Sequence, residues 1–160
     1  MSSSGRQTSR VALIVDSDAL VTSKFRFIAE SSGYVGAEYT RFETARSRLL
    51  KVQPPAVLIA NARLDAFNGV HLAYLVKLAD ASARVLIYAD PHDPVLAREA
   101  RRAGAFYQPR ALLFFSLGGW LGATLPAADR RQVAGADRRA TARGGRRVTD
   151  GRTTGRRQSV

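Results

Sequence analysis

Apolar and polar residues along the chain fall into blocks with two different periods. Val11–Val15 and Ala56–Ala60 are apolar without interruption, and Ala83–Tyr88 is nearly so. Runs this short, rich in branched residues, suit strands covered on both faces. Tyr34–Tyr39 is less apolar and reads as a strand nearer a sheet edge, and Ala105–Gln108 reads as a short fifth strand. Between these runs the spacing changes to three and four. Leu20, Val21, Phe25, Ile28 and Ala29 predict an amphipathic helix over Ala19–Ser32, stopped at Gly33. Thr40 is placed to cap a second helix, Arg41–Lys51, with Glu43 completing a capping box. Val70, Leu72, Ala73, Leu75, Val76 and Leu78 predict a third helix with a broad apolar face. Asp93 and Pro94 open a fourth, which Gly104 ends. Pro109-Arg110 breaks the pattern before a last apolar helix, Ala111–Leu125.

Strands alternating with helices at such short spacings imply parallel βαβ units. The predicted architecture is α/β, a doubly wound parallel sheet of five strands with five helices. In open sheets of this kind chemistry sits beyond the carboxyl ends of the strands. Two such ends are polar here. Val11–Val15 runs into Asp16-Ser17-Asp18, and Ala56–Ala60 stops at Asn61, followed by a loop that closes on Asn68-Gly69.

Composition narrows the chemistry. The chain has no cysteine, which removes disulfides, thiolate metal sites and a cysteine nucleophile. Two histidines, His71 and His92, are too few for a histidine-built zinc site and suit solvated or capping roles. The first nine residues are polar and lack a secretory pattern. Ala111–Leu125 falls short of the ~18–20 residues of a membrane span. A cytoplasmic protein without a membrane contact is expected. The net charge of +12 is uneven, because Asp129–Val160 carries ten arginines against three aspartates. That leaves +5 on residues 1–128. The sequence divides into a disordered N-terminus (1–9), an α/β domain (10–126) and a disordered arginine-rich tail (127–160), the tail being too polar to offset the entropy of ordering.

The order of landmarks resembles the receiver domain of bacterial response regulators, the CheY-like family. Val15-Asp16-Ser17-Asp18, Pro55 through Asn61 with Asn68-Gly69 beyond it, and Ala103-Gly104-Ala105 occur in sequence at domain-like spacing. The resemblance spans roughly Arg10 to Leu125 and implies a flavodoxin-like sheet of order 2-1-3-4-5. It also implies a signalling role in a two-component or phosphorelay system, with a histidine kinase or another signalling protein as partner. In that family two acids after strand one help to bind magnesium, and an aspartate ending strand three accepts phosphate. A Thr or Ser ending strand four and a Lys after strand five complete the switch.

At most of these positions the present chain departs. Asn61 falls on the phosphoacceptor position, Ser17 on one of the two acids, Tyr88 on the Thr/Ser position and Arg110 near the lysine. Asp65 stands where the loop usually has proline. An amide oxygen is a poor nucleophile toward phosphorus and carries no charge for a metal. The acidic pocket reduces to Asp16 and Asp18, with Asp16 the only candidate for a weak magnesium contact, so no cofactor is expected. The implied function is that of a pseudo-receiver, not an enzyme, acting by phosphorylation-independent protein contacts. Two other readings stay open. Asn61 and Asp16 could be plain hydrogen-bonded strand ends, or Asp65 could serve as an unconventional acceptor in an active relay.

Two further stretches bear on partners. The last helix holds Phe114, Phe115 and Trp120 among Gly118, Gly119 and Gly122, so two of its faces look apolar and only one can pack on the sheet. Exposed apolar surface of that kind marks a partner site. In receivers the fourth helix, fifth strand and fifth helix commonly form dimers, which implies a homodimer through that face. In the tail, arginine pairs recur at Arg130 and Arg131, Arg138 and Arg139, Arg146 and Arg147, and Arg156 and Arg157. They suit non-specific phosphate neutralisation on nucleic acid, or docking on an acidic partner. Without aromatic residues the tail has no base-stacking platform.

Overall fold

The structure, a computed structural model, describes residues 10–123. The expectations for residues 1–9 and for the tail, including its arginine pairs, lie outside the described residues. Element order is β1 (Val11–Val15), α1 (Ala19–Ser31), β2 (Val35–Tyr39), α2 (Phe42–Lys51), β3 (Val57–Asn61), β4 (Arg63–Leu64), β5 (Phe67–Asn68), α3 (Val70–Ala79), β6 (Arg84–Ala89), α4 (Pro94–Arg102), β7 (Phe106–Pro109) and α5 (Arg110–Gly122). Five strands form one parallel sheet in the order β2-β1-β3-β6-β7. With the short β4–β5 hairpin set aside, this is the predicted 2-1-3-4-5 order.

Alternation within each buried strand feeds two cores. Leu13, Val15, Leu58, Ala60, Val85 and Ile87 face α2, α3 and α4, whereas Ala12, Ile14, Val57, Ile59, Leu86 and Tyr88 face α1 and α5. Because both faces are covered, β1, β3 and β6 read as unbroken apolar runs. β2 is an edge strand and is only partly buried, which accounts for its weaker pattern.

Several local expectations are corrected. Leu20 is 74 % exposed, and α1 turns Val21, Thr22, Phe25 and Ala29 inward instead. The hydroxyl of buried Thr22 lies 3.0 Å from the Ala19 carbonyl and 2.9 Å from Glu38, two acceptors within reach of its single proton, so it is satisfied. α2 begins at Phe42 with Arg41 in the capping position and no side-chain cap; Glu43 pairs with Arg41 at 3.7 Å instead of completing a box with Thr40. Pro109-Arg110 does not separate β7 from α5. Proline ends the strand, where its missing N–H costs nothing, and the helix starts at the next residue. The loop after Asn61 contains the β4–β5 hairpin, turned at Asp65 with φ of 52°.

Two fixtures hold the last helix. The Arg84 guanidinium donates to the carbonyls of Leu121 (3.0 Å) and Trp120 and lies over the Trp120 ring at 4.1 Å. A cation thereby satisfies the unpaired carbonyls of a helix C-terminus. Leu113, Leu117 and Leu121, four apart, point into the sheet.

Candidate functional site

Parallel pairing sets Asn61 beside Tyr88 in the register of β3 and β6, and Val15 beside Ala60 in that of β1 and β3. The carboxyl ends of three central strands therefore converge, bringing Asp16, Asn61 and Tyr88 to one point. The contacts are direct. Tyr88 donates its hydroxyl to Asp16 Oδ2 at 2.6 Å, and Asn61 Nδ2 donates to the same oxygen at 3.2 Å. The backbone N–H of Asp18 donates to Asp16 Oδ1 at 2.9 Å. Both carboxylate oxygens are thus engaged, and Asp16 is 1 % exposed.

The remaining polar atoms of the cluster are also committed. Asn61 Oδ1 accepts the N–H of Arg63 at 2.9 Å, so both ends of its amide are used. Asp18 is exposed and caps α1 by accepting from Leu20 N at 2.9 Å. Tyr88 is fully buried, with its ring edge-on to Phe25 at 5.3 Å. Burial, reinforced by the neighbouring Asp16 carboxylate and its hydrogen bond, raises the phenol well above the ordinary tyrosine range. It remains a donor at any physiological pH.

The loop is positioned by a close approach. A Cβ on Gly69 would lie 1.9 Å from the Asn61 carbonyl oxygen, and Gly69 N donates to Ala62 O at 2.8 Å. Only glycine lets α3 start so near the end of β3. Asn68 accepts from Val70 N at 2.9 Å and donates to Glu99 on α4 at 3.0 Å. Arg63 reaches Asp93, the cap of α4, at 2.8 Å. The hairpin after Asn61 is thereby tied to α4 by two side-chain bridges.

Sequence reasoning brought Asp16, Asn61 and Tyr88 together, as the structure does. The resemblance placed Arg110 near the family's lysine. Arg110 pairs with Asp90, which follows β6. That partner, together with the Arg63–Asp93 and Asn68–Glu99 bridges, was missed. Only the clustering of polar residues at the carboxyl ends of the strands hinted at them. Asp65 is exposed at the tip of the hairpin, away from this cluster. Of the interface residues, Phe115 is 91 % exposed and Phe114 40 % exposed. Trp120 is half-buried against Arg84 and Phe106, Gly118 faces Ile28 of α1 and Gly122 is open.

Magnesium favours octahedral oxygen ligation with several retained waters. Asp16 is enclosed, with both its oxygens bonded, and Asp18 is turned to its own helix. The residues present do not fit that ion. Among the described residues, no group of three or more His, Asp or Glu side chains could hold a metal.

No family model matches the chain, and neither does any curated protein sequence. Solved structures do match. A two-component response regulator from Clostridium difficile is 16 % identical with a TM-score of 0.62, the match covering 78 % of this chain and 98 % of that one. A Burkholderia pseudomallei response regulator with a phosphorylated aspartic acid is 16 % identical with a TM-score of 0.61, covering 81 % of this chain and 75 % of that one. The BeF3-activated DrrB receiver domain is 14 % identical with a TM-score of 0.59, covering 72 % of this chain and 100 % of that one. The described residues therefore have the fold of response regulator receiver domains, of the CheY-like kind. At this identity the likeness is one of fold. No helix among the described residues is long and apolar enough to cross a membrane.

Proposed function

We propose that this chain is a pseudo-receiver, a signalling module that keeps the receiver fold and acts through protein contacts without accepting phosphate. The observation that carries this reading is the closed set of bonds on Asp16. Tyr88, Asn61 and the Asp18 N–H occupy the carboxylate that a receiver would offer to a metal. Where the resemblance places a phosphoacceptor, Asn61 offers an amide with both ends already bonded. The Tyr88 ring fills the space beside it. Arg63–Asp93 and Asn68–Glu99 hold the neighbouring hairpin against α4, which suits a module fixed in one state. Its partners are other signalling proteins, and its chemistry is binding.

The test is exposure of the full chain to acetyl phosphate with magnesium, followed by intact mass. No mass gain of one phosphoryl group is expected. Stoichiometric, acid-stable or hydroxylamine-sensitive modification at Asp65 or Asp16 would instead favour an active relay with an unconventional acceptor.

A second reading rests on the ten arginines of Asp129–Val160. Here the folded part is an adaptor and the tail supplies affinity for nucleic acid by neutralising phosphates, a contact that weakens steeply with salt. Deleting residues 129–160 is expected to abolish any low-salt shift of duplex DNA or RNA. A full chain that shifts neither at low salt removes this reading.

A further inference from the structure

α1 and α5 leave large apolar residues exposed, and several of them meet in a groove between the two helices. Phe115 is 91 % exposed, Leu20 74 %, Phe27 71 %, Leu112 55 % and Phe114 40 %. Phe114 packs on Phe25 at 5.2 Å and, with Leu20, Phe27 and Ile28, lines an open groove between the two helices. The only charge in the groove is Lys24, whose ammonium sits 5.6 Å from the Phe114 ring. From Ala111 to Gly122 no residue of α5 is charged. Gly119 and Gly122 have no atom within 4 Å of where a Cβ would stand, so the outer side of α5 is flat beyond Phe115.

We propose that this face joins two copies of the chain, α1 and α5 of one against α1 and α5 of the other about a two-fold axis. Area supports it. A buried aromatic side chain covers roughly 150–250 Å². The exposed fractions of Phe27, Phe114 and Phe115 add up to about two such rings, and Leu20 brings the apolar total to roughly 500 Å². A standard interface takes ~800 Å² from each partner, about 60 % of it apolar. The patch supplies that amount.

Shape and charge select a second copy as occupant. A two-fold contact needs a surface complementary to itself. Phe115 projects from the same side of α5 on which Gly119 and Gly122 lie flat, so each copy offers both the projection and the floor. Copies carrying +12 each repel one another, and they meet at least cost where each presents little charge, here Lys24 alone in the groove. The α4 side is different. Arg98, Arg101 and Arg102 are exposed there, and a two-fold contact would set them against their own kind. The inference departs from the α4–β7–α5 dimer implied by the family and does not depend on whether phosphate is accepted.

The experiment is sedimentation equilibrium of the full chain across concentration and salt, with variants checked for native circular dichroism. A reversible monomer–dimer equilibrium is expected, tightening as salt screens the repulsion. Phe115→Asp on α5 and Phe27→Asp on α1 should each weaken it at least tenfold, whereas Val95→Asp on α4 should leave it unchanged. Because the two disrupting substitutions sit on different helices, loss of fold in one leaves the other to decide. A chain that stays monomeric at every concentration and salt overturns the proposal, even if the patch captures a different protein. So does a dimer that survives both aspartates or dissolves with Val95→Asp.

Discussion

A buried carboxylate is tolerated only when hydrogen bonds replace its lost hydration. Asp16 receives three such bonds, and Tyr88 gives the shortest, at 2.6 Å. Tyr88→Phe keeps the ring and its contact with Phe25 while removing that donor. It should destabilise the fold by about 1–3 kcal/mol, the cost of a buried acceptor left short of a partner. Urea unfolding at neutral pH measures it. The wild type should also show an alkaline limb that the variant loses. The folded phenol holds its proton above the ordinary value of ~10, so the contribution is complete below that pH and is lost progressively as pH rises beyond it. Asn61→Asp sets a second carboxylate 3.2 Å from the first in place of a donating amide. With two carboxylates in contact, the variant should be less stable than wild type at pH 7 and gain stability on acidification. It should also fail to switch, since Ser17 and Tyr88 remain. A variant as stable as wild type, or one that shifts globally with a phosphoryl donor, contradicts this account of the site.

At the scale of elements, Gly69 sets how near α3 can begin to β3. Gly69→Ala places a methyl group against the Asn61 carbonyl, a backbone atom that cannot swing away. A loss of about 1–3 kcal/mol is expected, as for other overpacked sites, with amide shifts centred on Asn61 and the hairpin. Thermal unfolding and a heteronuclear correlation spectrum would show both. What was legible in the sequence follows the same logic. Strand runs covered on both faces declare themselves by composition, and Gly33 and Gly104, at φ of 84° and 75°, end their helices as their positions implied. The fold and the convergence of Asp16, Asn61 and Tyr88 could therefore be read. Leu20 misled because an apolar residue at a helix start counts toward periodicity whether or not the helix turns it inward. The β4–β5 hairpin was hidden because two-residue strands leave no period, and the Arg110–Asp90 pair because a long side chain chooses its partner in space.

For the whole molecule, a moderately basic fold and a strongly basic tail predict two interactions of opposite salt dependence. Self-association through the apolar α1–α5 face should tighten with salt, whereas attraction of the tail arginines to polyanions should weaken. Neither depends on the separate proposal that the central pocket does not change state. The most direct measurement of that claim is a titration of isotope-labelled full chain with beryllofluoride and magnesium, following the amides of Asp16, Asn61, Tyr88 and the β4–β5 hairpin. The closed bonds on Asp16 predict no saturable shift at these positions beyond that produced by salt alone. Saturable, magnesium-dependent shifts that spread from Asn61 into α4 and β7 would contradict it, because they would mean that the pocket opens and the switch still works.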